Sequence, residues 1–160
     1  MNSNYRSVKL EPKQAFKMAK TIHLALLAGQ CLFAGVVLFL GKQSAAGPAN
    51  DNQFIIIAAV LCVVAFAVGN LVYKQVIAAA VNKQTLTEKM AGYMSALIVK
   101  FALIEGASLF SIVSFLLTGN YFFLGIAAVM VVYFFTLRPN LDKAAEELGL
   151  TYEEKLEIEN

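Results

Sequence analysis

The chain has 160 residues, 59% of them hydrophobic and only 15% charged, with a mean hydropathy of +0.66. Soluble domains run about 45–50% apolar and about 25% charged, so most soluble readings are excluded and the composition points to an all-α polytopic membrane protein. The net charge of +2 is too small, and its Lys and Arg too scattered, for a nucleic-acid-binding surface.

In chain order, Met1–Lys20 carries charges throughout and no apolar core, so it does not read as a signal peptide. Leu10-Glu11-Pro12 opens an amphipathic lead-in. Pro12 suits a first helical turn, and Ala15, Phe16 and Ala19 are expected to face the membrane while the lysines face phosphate head groups. Four stretches then approach the roughly 17–25 residues that cross a bilayer: Thr21–Leu40, Phe54–Tyr73, Leu97–Leu117 and Tyr121–Leu137. The first is expected to stay in place as a start-transfer helix. Gly41–Asn52, with Pro48 and Asp51, reads as a polar loop, and Lys74–Lys89 as a longer polar connection. Gly119-Asn120 is a tight turn between spans three and four, and Arg138-Pro139 ends the fourth. Asn140 reads as the N-cap of a helix over Leu141–Leu148 stopped by Gly149, and Thr151–Glu154 as a capping box for a short last helix. The tail is acidic from Glu146 onward and reads either as a solvated end or as a docking segment. The expected organisation is one membrane domain: lead-in 1–20, first hairpin 21–73, linker 74–96, second hairpin 97–137 and tail 138–160.

Orientation follows from the basic residues. Arg6, Lys9, Lys13, Lys17 and Lys20 precede span one; Lys74, Lys83, Lys89 and Lys100 lie between or near spans two and three; Arg138, Lys143 and Lys155 follow span four. Lys42 alone falls on the other side, so both termini are expected in the cytoplasm.

Spans one and three align without a gap. Leu24–Leu40 reads LALLAGQCLFAGVVLFL and Phe101–Leu117 reads FALIEGASLFSIVSFLL, matching Ala25 with Ala102, Gly29 with Gly106 and Leu32-Phe33 with Leu109-Phe110. Ile57–Val60 and Ile126–Val129 share Ile-Ala-Ala-Val. The pattern predicts two tandem antiparallel hairpins forming a four-helix bundle, a parallel repeat about an axis along the membrane normal. Ala25 with Gly29, and Ala102 with Gly106, are spaced for close helix packing.

Glu105 is the polar residue to explain. It lies four residues inside Phe101, about 6 Å in at 1.5 Å per residue, where an ionised carboxylate costs a few kcal/mol. Tyr133 falls at a similar depth on span four, Gln30 about 3 Å deeper on span one, and Ser108 one turn further along span three. These four form the candidate site. One reading is a carboxyl that binds H⁺ or Na⁺; another is a neutral acid hydrogen-bonded to Gln30 or Tyr133 that holds helices together; a third pairs Glu105 with Lys100. His23, the single histidine, reads as an interfacial polar group. Cys31 and Cys62 lie inside spans and read as small hydrophobes, with no metal or redox spacing around them. No catalytic motif or cofactor signature is present, so an enzyme is not expected.

The run ALIEGASLFSIVSFLLTGN (Ala102–Asn120), with Arg138-Pro139 and the Leu148-Gly149-Leu150 tail, resembles a family of small uncharacterised bacterial four-span membrane proteins. That likeness implies a bacterial inner-membrane location and no particular activity. More distantly, two hairpins with a carboxyl only in the second resemble the duplicated proteolipid subunits of rotary ATPases. Glu105, however, stands on the first helix of its hairpin, where theirs stands on the second. The expectation is a small integral-membrane subunit that binds H⁺ or Na⁺ through Glu105; the alternative is a structural or accessory subunit of a larger membrane complex. The expected partners are the lipid bilayer and further membrane helices, from copies of this chain or other subunits.

Overall fold

The computed structural model describes residues 11–41 and 51–159. Most of the loop expected over Gly41–Asn52 lies outside them, as do Arg6, Lys9 and Lys42. The described chain is all helical: α1 Pro12–Gly41, α2 Asp51–Val81, α3 Leu86–Thr118, α4 Phe122–Thr136, α5 Leu141–Leu148 and α6 Tyr152–Glu159. α1, α2 and α3 are each long and apolar enough to cross a membrane, and α4 joins them only if taken with α5, from which it is bent by 74°. By itself α4 has 15 residues, about 22 Å of helix against a hydrocarbon core of about 30 Å.

The helices overrun the expected spans. Of the connection expected at Lys74–Lys89, only residues 82–85 leave the helices. The run Val76–Val81 is rich in alanine and has no breaker, so α2 continues through it. α3 starts where the Thr85 hydroxyl accepts from the Glu88 N–H at 3.3 Å, an N-cap. Likewise the lead-in from Pro12 to Lys20 is one continuous helix with span one.

α3 is the hub. It packs against α2, α1 and α4, whereas α1 and α2 barely touch each other. The first of the two expected hairpins is therefore not a packed pair; α2 with α3 and α3 with α4 are. The reason lies in where each helix keeps its buried residues. α1 has one buried stripe, Phe16, Ala19, His23, Gln30 and Val37, and α2 has one, Ala58, Ala65, Tyr73, Ile77 and Ala80. Each stripe is used on α3, which buries Tyr93, Phe101, Ile104, Ile112 and Phe115 on several sides. α2 and α3 approach closely at Gly92, where an added Cβ would come within 2.6 Å of the Ala80 Cβ.

Directions alternate along the chain. One cluster joins the start of α1, the end of α2, the start of α3 and the end of α4, through Phe16, Tyr73, Tyr93 and Phe134. A second joins the opposite ends, through Val37, Ala58, Phe115 and Phe123. α1 and α3 thus run the same way. The turn between α3 and α4 is made by Gly119 at φ +69, which caps α3, and by the Asn120 carbonyl Oδ1, which accepts from the Phe122 N–H at 3.0 Å.

The tail folds back onto the bundle. Asn140 caps α5 by accepting from the Asp142 N–H at 2.8 Å, and Gly149 ends it in the left-handed region at φ +59. Thr151 and Glu154 form a reciprocal capping box at the start of α6. Ala144, Leu148 and Ile158 are buried in the main cluster, with α6 against α1 and α5 against α2 and α3. Lys89 on α3 pairs with Glu154 at 3.4 Å. Ala15, Phe16 and Ala19 are therefore covered by protein, where the sequence suggested membrane.

Candidate functional site

The register of α1 on α3 is set by His23. Its ring lies 5.2 Å from that of Phe101 and stacks on Phe134 at 4.8 Å, and Nε2 donates to the Phe134 carbonyl at 2.9 Å. A carbonyl only accepts, so Nε2 carries a proton. The imidazole is 4% exposed and plugs the junction of α1, α3 and α4, so it is a core group rather than the interfacial one expected. At the C-terminal end of α4 it supplies a second donor to a carbonyl that also accepts from the Leu137 N–H.

Two turns further along both helices, that register brings Gln30 level with Ser108. Both are fully buried, and neither the Gln30 amide nor the Ser108 hydroxyl has a hydrogen-bond partner among the described residues. Three other buried hydroxyls of α3 are satisfied within the helix: Ser111, Ser114 and Thr118 donate to carbonyls four residues back at 2.8–2.9 Å. Ser108 thus departs from the pattern of its own helix.

Glu105 lies about 40° around α3 from Phe101, between the side covered by α1 and an open stripe. It is half-buried. No hydrogen bond or ion pair joins it to any other described residue. Tyr133 belongs to a different contact: its hydroxyl accepts from Asn70 Nδ2 at 3.5 Å, and its ring tilts against Phe66 at 5.4 Å, both on α2. Of the four candidate residues, the structure brings Gln30 and Ser108 to one level, leaves Glu105 without a bond, and turns Tyr133 toward α2.

The open stripe of α3 consists of Ala91, Ser95, Ile98, Ala102, Gly106, Val113 and Leu117, all exposed. A Cβ added at Gly29 or Gly106 would meet nothing within 4 Å. The small residues expected to bring helices of this chain together thus face outward.

Sequence reasoning missed a second group of residues at the charged end. Lys100 on α3 is 8% exposed and lies with Nζ 4.8 Å from the centre of the Tyr73 ring. The Tyr73 hydroxyl donates to Glu147 on α5, and Lys143 pairs with the same carboxylate at 3.8 Å. The signal available was the placement of Lys100 one residue before Phe101, which turns it to the α2 side of the hub. The partners, from α2 and α5, carry no motif.

Cys31 and Cys62 are free thiols, and among the described residues no group of His, Cys, Asp or Glu could hold a metal ion. In comparisons with protein-family models, curated proteins and solved structures, nothing matches this chain.

Proposed function

We propose that this protein is a multi-pass membrane subunit, with its charged end and both termini in the cytoplasm, that works by packing beside other membrane helices. Support for the bilayer is the outward apolar surface. Leu32 is 72% exposed, Phe39 70% and Val129 68%, and such residues belong in hydrocarbon rather than water. Two apolar grooves flank α4, of about 580 Å³ toward α2 and about 440 Å³ toward α1, and acyl chains would fill them.

The observation that carries the partner reading is Glu105, a half-buried carboxyl with no bond to any described residue, beside the small Ala102 and Gly106 of an uncovered stripe. A carboxyl within the apolar length of a helix needs a polar partner or a proton. Small residues let a neighbouring helix come close enough to supply one. The test is disulfide cross-linking of Ala102→Cys in native membranes, with Cys31 and Cys62 replaced by serine. A discrete cross-linked species that disappears with Gly106→Leu is expected. The absence of any such species would overturn the reading.

A second reading, H⁺ or Na⁺ binding at Glu105, draws support from the buried, unpartnered Gln30 and Ser108 a turn or so away. Labelling by a hydrophobic carbodiimide separates the two: label that Na⁺ suppresses in the parent chain, and that Glu105→Gln abolishes while cross-linking stays intact, is expected only if Glu105 binds the ion.

A further inference from the structure

At the charged end, where α2, α3 and α5 meet the end of α4, a cavity of about 50 Å³ opens. Its walls carry three cations from three parts of the chain: Lys100 of α3, Arg138 of the α4–α5 corner and Lys143 of α5. The 74° bend at that corner turns α5 so that Lys143 shares the cavity with Tyr93, Leu97 and Lys100 of the first half of α3. Tyr73 and Tyr93 add phenol groups to the same wall.

The charges do not balance. Lys100 is buried and has no ion pair or hydrogen bond among the described residues; its one close partner is the Tyr73 ring face. Lys143 is near enough to repel it, and Glu147 is the acid in range. Glu147 is already engaged by the Tyr73 hydroxyl and by Lys143. Arg138 is exposed and makes no ion pair among the described residues. One carboxylate thus faces three cations, two of them unpaired, and an ammonium taken out of water costs several kcal/mol unless an anion compensates it. The room suits a small tetrahedral oxyanion. A water needs about 10–15 Å³ on this measure, so the cavity holds roughly four oxygen-sized groups.

We propose that this cavity binds one phosphate group, with Lys100 as its buried cation and Arg138 and Lys143 closing on it from the α4–α5 corner. Basic pockets at the cytoplasmic ends of membrane helices bind lipid head groups in this way. The phosphate comes either from an anionic phospholipid or from free phosphate in the aqueous phase. The lipid source rests on the membrane reading above; the chemistry of the cavity does not.

The test uses the full chain in a neutral maltoside detergent. Dioleoylphosphatidylglycerol is titrated and bound lipids are counted by native mass spectrometry, with dioleoylglycerol as the phosphate-free comparison. Inorganic phosphate is titrated separately by equilibrium dialysis. The expected result is one tight phosphate-bearing ligand per chain, weakened at least tenfold by Arg138→Gln with Lys143→Gln and unchanged by Lys17→Gln on α1. Lys100→Met should abolish binding. If that buried variant does not fold, the double variant at the exposed corner still decides. Binding of phosphatidylglycerol with these sensitivities assigns the site to a lipid head group. Binding of inorganic phosphate alone assigns it to a soluble ligand, and would survive failure of the membrane reading. Binding of neither probe, or equal loss in Lys17→Gln, overturns the proposal.

Discussion

His23 shows how one side chain sets a helix register. The ring is held on two faces by Phe101 and Phe134 and at its edge by a carbonyl. Replacing it by Phe keeps the stacking and removes one hydrogen bond, worth about 1 kcal/mol; the Phe134 carbonyl still accepts from the Leu137 N–H. Replacing it by Ala empties the junction of three helices, at about 2–5 kcal/mol. Thermal unfolding in detergent should therefore rank the parent above His23→Phe and His23→Phe well above His23→Ala. Equal melting temperatures for the two variants would mean that the hydrogen bond, not the stack, holds α1 on α3. Gln30, one stripe position further along α1, shows the opposite case of a buried polar group that the described residues leave unsatisfied.

At the scale of elements, the α2–α3 hairpin depends on a contact that admits no side chain. The Cβ of Gly92→Ala would meet the Ala80 Cβ at 2.6 Å, and neither atom sits at the end of a flexible chain. The two helices must part, at about 1–3 kcal/mol. Ala80→Gly in the same chain should restore most of that stability, and a double-mutant cycle by chemical unfolding measures it. Gly106→Ala, in open space, should be neutral or slightly stabilising in the isolated chain.

The docked tail adds a pH dependence. The Thr151 backbone N–H, with a further contribution from Lys89, holds the Glu154 carboxyl below the usual carboxylate range. Its contribution is thus complete above the ordinary glutamate value of about 4.3 and is lost as pH falls through the lowered folded one. The group is half-buried at the surface and still screened by solvent, so the effect is about 1 kcal/mol or less. Protection of the amides over 152–159, taken relative to their intrinsic exchange at each pH, should fall selectively as the solution is acidified toward pH ~3, and Glu154→Gln should show the lower protection already at neutral pH. Lys155 is pushed up by its bond to Asp142, so its tie between α5 and α6 persists until strongly alkaline pH.

For the whole molecule, all described charges other than Glu105 lie at or beyond the end where α5 and α6 dock, apart from Asp51 at the start of α2. Helices α2 and α3, at 31 and 33 residues, are longer than a bilayer's hydrocarbon core. Their surplus length carries the platform on which the tail folds. The proposed orientation, with both termini in the cytoplasm, predicts that a thiol placed at Lys83 in a chain lacking Cys31 and Cys62 reacts with a membrane-impermeant reagent only after the cytoplasmic face is opened. Reaction from the outside of intact cells would overturn the orientation.

What the sequence determined by itself was local or one-dimensional. Apolar length marks the long helices, because hydropathy is additive along a chain. Asn140, Gly149, Gly119-Asn120 and the Thr151–Glu154 box mark their ends, because a cap is satisfied by neighbours three or four residues away. Polarity alone did not end a helix at Lys74, since Ala-rich segments continue helical whatever their solvent. The tertiary structure decided which faces meet. Depth along a span places Glu105, Tyr133, Gln30 and Ser108 near one another but leaves the angle around each axis open. That angle sends Tyr133 to Asn70 and turns Gly106 outward. It also places Lys100 under Tyr73, in a cavity whose other walls come from segments some 30 to 40 residues away, because only packing on the α3 hub brings them together.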